Sequence, residues 1–156
     1  MCELYLAYSR CCVGFQFSFE PPECMTTRDE GFVMNMRSLV SVVDDDESIR
    51  ESLPDLLRQC GFAAKAFPSA EAFLASETLS DTRCLILDIA MPGMSGPDLQ
   101  QELRRRRQEI PIVFMTARSD ETIRPRLLAQ GAVECLFKPF SEAALLDALN
   151  AALRMR

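Results

Sequence analysis

The sequence predicts an α/β fold built on a five-stranded parallel sheet, and three observations lead to it. From Ser38 onward, short apolar runs and amphipathic stretches alternate five times, which is the pattern of repeated βα units. The apolar runs are short and rich in β-branched residues, as strands buried on both faces are. They also end alike: Leu39-Val40-Ser41-Val42-Val43 runs into Asp44-Asp45, Cys84-Leu85-Ile86-Leu87 into Asp88, Ile112-Val113-Phe114-Met115 into Thr116, and Cys135-Leu136-Phe137 into Lys138-Pro139. The crevice of an open parallel sheet lies outside the carboxyl ends of its strands, so these acids, this hydroxyl and this lysine should meet there.

Each element follows from its residues. After the strand over 39–43, Ile49, Leu53, Leu56 and Leu57 fall at helical spacing across 47–59, closed by Gly61. Pro54 inside that helix removes a hydrogen bond at about 3 kcal/mol, which predicts a bend on the side facing water. Residues 63–67 form the second strand, and Ser69 caps a short helix reaching about Ala75. The third strand is 84–87. Gly96-Pro97 opens the third helix, with proline at the first helical position, where its missing N–H is harmless; that helix runs through Leu99 and Leu103 to the arginines at 104–107. After the strand over 112–115, Asp120 could cap a helix from Glu121, but Pro125 favours a start near Arg124, and Gly131 ends it. The fifth strand is 135–137, and Ser141 caps a last helix that turns Leu145, Leu146, Leu149 and Leu153 inward.

With 156 residues the chain holds one ordinary domain and a small appendage, here 38–156 and 1–37. The first 37 residues carry Pro21-Pro22, scattered aromatics and no sustained period. They read as a poorly ordered extension or a start assigned too early, since Met34 and Met36 stand just before the first strand; a docking or redox-sensitive arm is the alternative. A net charge of −6 argues against direct nucleic-acid or anionic-membrane binding. The run Arg104-Arg105-Arg106-Arg107 is the local exception and suits the dipole-complementing end of a helix, or a partner contact. No window is apolar for the roughly 18 residues a membrane helix needs, and no secretory leader is recognisable. The chain contains no histidine, which excludes histidine base catalysis, histidine metal sites and phosphohistidine chemistry within it. Seven cysteines, an odd number without C-x-x-C spacing, fit a reduced, cytoplasmic compartment.

Alone, Asp44-Asp45-Asp46-Glu47 would be a solvated run or the charged start of a helix. Asp88 at another strand end changes that reading. Like charges about 4 Å apart repel by about 4 kcal/mol at an effective dielectric of 20, so such a cluster invites a cation. Hard oxygen donors select Mg2+. A carboxylate is also a competent nucleophile toward phosphorus, provided that a metal and donors hold the transferring charge. Lys138 can supply an ammonium and Thr116 a hydroxyl.

On the acidic pair, the segment Asp88-Ile89-Ala90-Met91-Pro92-Gly93-Met94-Ser95-Gly96, Thr116-Ala117 and Lys138-Pro139-Phe140, the chain from 38 to 156 resembles the response-regulator receiver domain of two-component signalling, in the nitrogen-fixation and nodulation type. The resemblance implies a doubly wound, flavodoxin-like sheet of strand order 2-1-3-4-5 with helices on both faces. It implies Asp88 as phosphoacceptor and Asp45, Asp88 and the Ala90 carbonyl as Mg2+ ligands, with Asp44 the other member of the acidic pair. Thr116 and Lys138 would bind the phosphoryl group and switch with it, and a cis peptide is expected before Pro139. Arg118 and Ala90 occupy positions that tune phosphoryl lifetime in the family. Cys135 departs from it, standing where many relatives carry a rotating aromatic.

The implied partner is a sensor histidine kinase, which supplies the imidazole this chain lacks. The fourth helix, fifth strand and fifth helix would form a face for a homodimer or a downstream effector. The chain would catalyse only its own phosphorylation and dephosphorylation. A receiver cut from a DNA-binding regulator is the near alternative. An aspartate-nucleophile phosphatase needs a second acid two residues past the nucleophile, where Ala90 stands. A flavin or nucleotide module would want a glycine- or hydroxyl-rich loop after the first strand, where this chain has acids.

Overall fold

The computed structural model describes residues 38–117 and 122–155. The expectations for residues 1–37, Arg118, Asp120 and Glu121 lie outside the described residues. The elements run β1 (Leu39–Val43), α1 (Glu47–Gln59), β2 (Ala63–Phe67), α2 (Ala70–Leu74), β3 (Thr82–Asp88), α3 (Gly96–Arg105), β4 (Ile112–Thr116), α4 (Ile123–Ala129), β5 (Glu134–Phe137) and α5 (Glu142–Arg154). All four strand pairings are parallel, in the order β2-β1-β3-β4-β5. Every strand therefore ends on the same edge, as the alternation of elements predicted. Among the described residues no helix is long and apolar enough to cross a membrane.

Burial explains why the strands read as continuous apolar runs. Residues 84–88 of β3 and all of β4 are buried, so both faces of the central sheet are covered. Leu85, Leu87 and Phe114 pack in one cluster with Ala70 and Phe73 of α2, Leu99 and Leu103 of α3 and Leu127 of α4. Ile86 and Cys84, whose side chains alternate with those of Leu85 and Leu87, are equally buried but fall outside that cluster. Ser41 and Thr82 are fully buried too, and their hydroxyls pair at 2.8 Å. β1 and β3 pair through Leu39↔Thr82 and then Val40↔Cys84, so Arg83 has no counterpart on β1.

Capping sets the helix starts. The Asp46 carboxylate accepts the Ser48 N–H at 2.9 Å ahead of α1, and Ser69 and Ser141 do the same for Ala72 and Ala144, each at 3.1 Å. Ser95 and Asp98 form a reciprocal capping box on α3. Each such cap is worth about 1 kcal/mol.

Three expectations need correction. Pro54 does not face water: it is buried with Leu53, Leu56 and Leu57 inside a helix that runs on to Gln59, because its ring adds apolar area to the packed side. In α5, Ala148 and Ala152 are buried with Leu145 and Leu149, while Leu146 and Leu153 are half-buried, since the close approach to the sheet admits the smaller side chains. β3, β4 and β5 each take in polar end residues, Asp88, Thr116 and Glu134 among them, because ladder pairing continues past the apolar run. α4 begins at Ile123, which leaves Pro125 in the first turn, where it is tolerated.

Phe73 is fully buried and meets Phe67 edge-on at 5.3 Å between centroids. Phe73→Ala should cost about 3–5 kcal/mol of unfolding free energy, measured in urea at unchanged m-value.

Candidate functional site

The shared carboxyl edge of the strands brings the predicted residues together. Val43 pairs with Leu87, so the next residues, Asp44 and Asp88, leave adjacent strands at the same height. One ligand oxygen from each of Asp44, Asp45 and Asp88 lies within 4.8 Å of the others, and this group could hold a metal ion. Lys138, just past β5, reaches into the cluster: its Nζ donates to Asp44 Oδ2 at 2.7 Å and to Asp88 Oδ1 at 3.0 Å. The Lys138–Pro139 peptide is cis.

The acidic run divides its labour. Asp44 is 1% exposed; its Oδ1 accepts the Asp46 N–H at 2.9 Å and its Oδ2 faces Lys138. Asp45 is exposed, and its carboxylate has no hydrogen-bond partner among the described residues. Asp46 is spent on capping α1. An unpartnered carboxylate beside two buried ones fits a hard cation, which would take the oxygens the protein leaves open.

Asp88 is almost completely buried. Its Oδ2 accepts the Ala90 N–H at 3.0 Å, so Ala90 approaches the predicted acceptor through its backbone. Burial pushes the Asp88 carboxyl above the usual aspartate value and the Asp44 charge adds to this, while Lys138 and the Ala90 N–H pull down without cancelling it. For Lys138, burial opposes the charge, but Asp44 and Asp88 together outweigh it and raise the ammonium above the usual lysine value. The two results agree physically: one cation serves two acids, and Asp44 holds the shorter bond.

Thr116 ends β4 buried, and its carbonyl accepts the Lys138 N–H at 2.8 Å, which ties the hydroxyl-bearing residue to the lysine through the backbone. Cys135 is buried in β5.

Two features of the site escaped sequence reasoning. Arg50, one turn into α1, donates through Nη1 to the carbonyls of Asp44 at 3.1 Å and Asp45 at 2.7 Å, clamping the acidic turn from behind. Its position in an amphipathic helix carries no signal of that reach. Gly96, noticed only as a helix start, is a close-approach residue: a Cβ there would collide with the Asp88 carbonyl oxygen and stand 3.1 Å from Phe114 Cε1. The Gly96 N–H donates to the Ile89 carbonyl at 3.1 Å, which closes the loop after β3.

An all-parallel 2-1-3-4-5 sheet with clustered aspartates and a lysine at its carboxyl edge defines the class of receiver modules. Residues 40–150 match the family model described as the response regulator receiver domain, and the chain belongs to that family. It is 45% identical over 116 residues to nodulation protein W of Bradyrhizobium diazoefficiens, covering 74% of this chain and 51% of that protein. It is 39% identical over 118 residues to the response regulator protein TodT of Pseudomonas putida, covering 76% of this chain and 52% of that protein. The chain thus spans about half the length of the curated relatives it matches. Among solved structures, the response regulator StyR aligns with a TM-score of 0.70 at 47% identity, covering 76% of this chain and 60% of that one. The structure titled FixJ-N aligns at 0.69 and 36%, covering 76% and 95%.

Because the folded-state pKa of Asp88 is raised, the fold holds that proton more tightly than the unfolded chain. Its contribution is fully present below the unfolded value of about 3.9 and is lost as pH rises through the folded one, so the ionised carboxylate is a net cost at neutral pH. In metal-free buffer at pH 7, Asp88→Asn should raise the unfolding free energy, with the gain shrinking toward pH 4. Urea titrations at the two pH values check both the sign and the trend.

Proposed function

We propose that this chain is a phosphorylation switch that takes a phosphoryl group from the phosphohistidine of a partner sensor kinase onto Asp88. An Asp88 carboxylate oxygen attacks phosphorus in line; the new O–P bond forms as the N–P bond to the kinase imidazole breaks, and the imidazole leaves with the electron pair. Mg2+, held by Asp45, Asp88 and the Ala90 carbonyl with Asp44 beside them, would spread the charge on the phosphoryl oxygens. Asp44 and the Thr116 backbone orient Lys138, whose ammonium exchanges its bond to Asp88 for one to the arriving group. The Thr116 hydroxyl supplies a second donor.

The observation that carries this reading is the buried Asp88 carboxylate with Lys138 Nζ at 3.0 Å and two further carboxylates beside it. A phosphoryl group there changes the charge that Lys138 and Thr116 see. The change should pass to α4, β5 and α5, whose outer face we assign to a second copy or to an effector. Residues 38–156 would be the receiver, with 1–37 an extension to it, in a cytoplasmic protein. A second reading, the receiver part of a DNA-binding regulator, is favoured by the coverage of half-length matches, one of which is the transcriptional regulatory protein FixJ of Azorhizobium caulinodans.

Incubation with acetyl phosphate and Mg2+ followed by intact-mass measurement should add one phosphoryl group. Asp88→Asn should abolish it, and Asp45→Ala should abolish it at ordinary Mg2+; an unchanged adduct on Asp88→Asn removes Asp88 from the reaction. With beryllofluoride and Mg2+, amide exchange should slow in α4 and β5; a change confined to α1 and α2 would place the switching face elsewhere.

A further inference from the structure

The loop from Ile89 to Ser95 leaves the candidate acceptor and carries Ala90, and its two ends are fixed. The Ile89 N–H donates to the Met115 carbonyl at 3.0 Å, and the Gly96 N–H closes onto the Ile89 carbonyl. Between them, the stretch Met91–Met94 makes one hydrogen bond to another element among the described residues. That bond runs from the Met94 N–H to Glu71 Oε1 on α2, at 3.2 Å.

The acceptor is well placed for this. Glu71 lies between Ala70 and Phe73, both fully buried, so the short helix that carries it is seated in the core. Its carboxylate is exposed, and its own backbone N–H, the Met94 N–H and Ser69 bring its pKa below the ordinary value. The loop is shaped to receive it. Gly93 is left-handed at φ +78°, and a Cβ there would stand 3.1 Å from Glu71 Oε1. Met91 is buried and Met94 packs against the same core cluster as Phe73, so both sides of the bond rest on one set of contacts. Glu71 is not one of the three acids of the candidate metal group.

We propose that Glu71 is a positioning residue for the acceptor site, a latch from α2 that holds the 89–95 loop so that Ala90 stays set against Asp88. This rests on the reading of Asp88 as phosphoacceptor. Chemistry here depends on placement, because the loop supplies the N–H on the Asp88 carboxylate and the Ala90 carbonyl assigned to the metal. A loop free to swing would disturb both without touching any of the three acids. The latch needs an acceptor oxygen at the Glu71 position and does not need its charge.

That distinction gives the test. Glu71→Ala and Glu71→Gln are compared with the wild type for Mg2+ affinity by calorimetry, for the exchange rate of the Met94 amide by NMR, and for the rate of adduct formation from acetyl phosphate across a Mg2+ series. Glu71→Ala should speed Met94 exchange and weaken Mg2+ binding about tenfold, as loss of a residue supporting metal ligands does. Its adduct rate should be recovered in part by raising Mg2+. Glu71→Gln, whose amide oxygen can accept the same bond, should stay within about twofold of wild type on all three readouts. Faster Met94 exchange in Glu71→Ala with unaltered Mg2+ affinity and adduct rate would overturn the proposal, as would a Gln variant as impaired as Ala. If the wild type takes no adduct, the acceptor reading fails on its own, and the Mg2+ titration with the Met94 exchange still decides whether Glu71 sets the loop.

Discussion

One ammonium shared by two buried carboxylates organises this molecule. Lys138 lies 94 residues from Asp44 and 50 from Asp88 along the chain, yet bonds to both. At an effective dielectric of 20, each contact near 3 Å is worth about 5 kcal/mol of gross attraction, against about 4 kcal/mol of repulsion between two like charges about 4 Å apart. The ammonium therefore makes the buried acids tolerable, though it does not cancel the cost of burying Asp88. Three carboxylates facing a single lysine still leave an excess of negative charge. Burial, to which the Asp44 charge adds, keeps Asp88 reluctant to ionise, and a bound cation would relieve that charge.

The same ion constrains the fold. Lys138 follows β5, and its side chain crosses over the end of β4 to reach β3 and β1, while its own N–H rests on the Thr116 carbonyl. Four of the five strands thus meet at one residue. The helix caps and the cores on either side of the sheet give stability, and this network ties together the strand ends that the ladder register brings level.

Much of this was legible in the sequence because the signals were local. Val43-Asp44, Leu87-Asp88, Met115-Thr116 and Phe137-Lys138 each mark the point where an apolar strand meets a polar edge, and a parallel sheet allows one edge only. Ser69 and Ser141 announced their helices by capping chemistry that spans three residues, and Gly96-Pro97 announced α3. What stayed hidden depends on contacts distant in sequence. Pro54 and the alanines of α5 are buried by how closely their helices approach the sheet, and periodicity does not report that distance. Arg50 and Glu71 look like ordinary helix-surface charges until the backbone groups they hold are seen.

The unmatched Arg83 at the foot of β3 acts on the opposite edge of the sheet. Between β1 and β3 the ladder gains one residue at its base, beside the buried Ser41–Thr82 hydroxyl pair, and from Val40↔Cys84 upward it is regular. A strand climbs about 3.3 Å per residue and turns its side chains over at each step. Asp44 and Asp88 stand level only because that offset is absorbed four rungs below them. The base of the sheet is in this sense an alignment gauge: were Arg83 to take the place opposite Val40, Asp88 would stand a full step above Asp44, farther than an ammonium hydrogen bond can stretch.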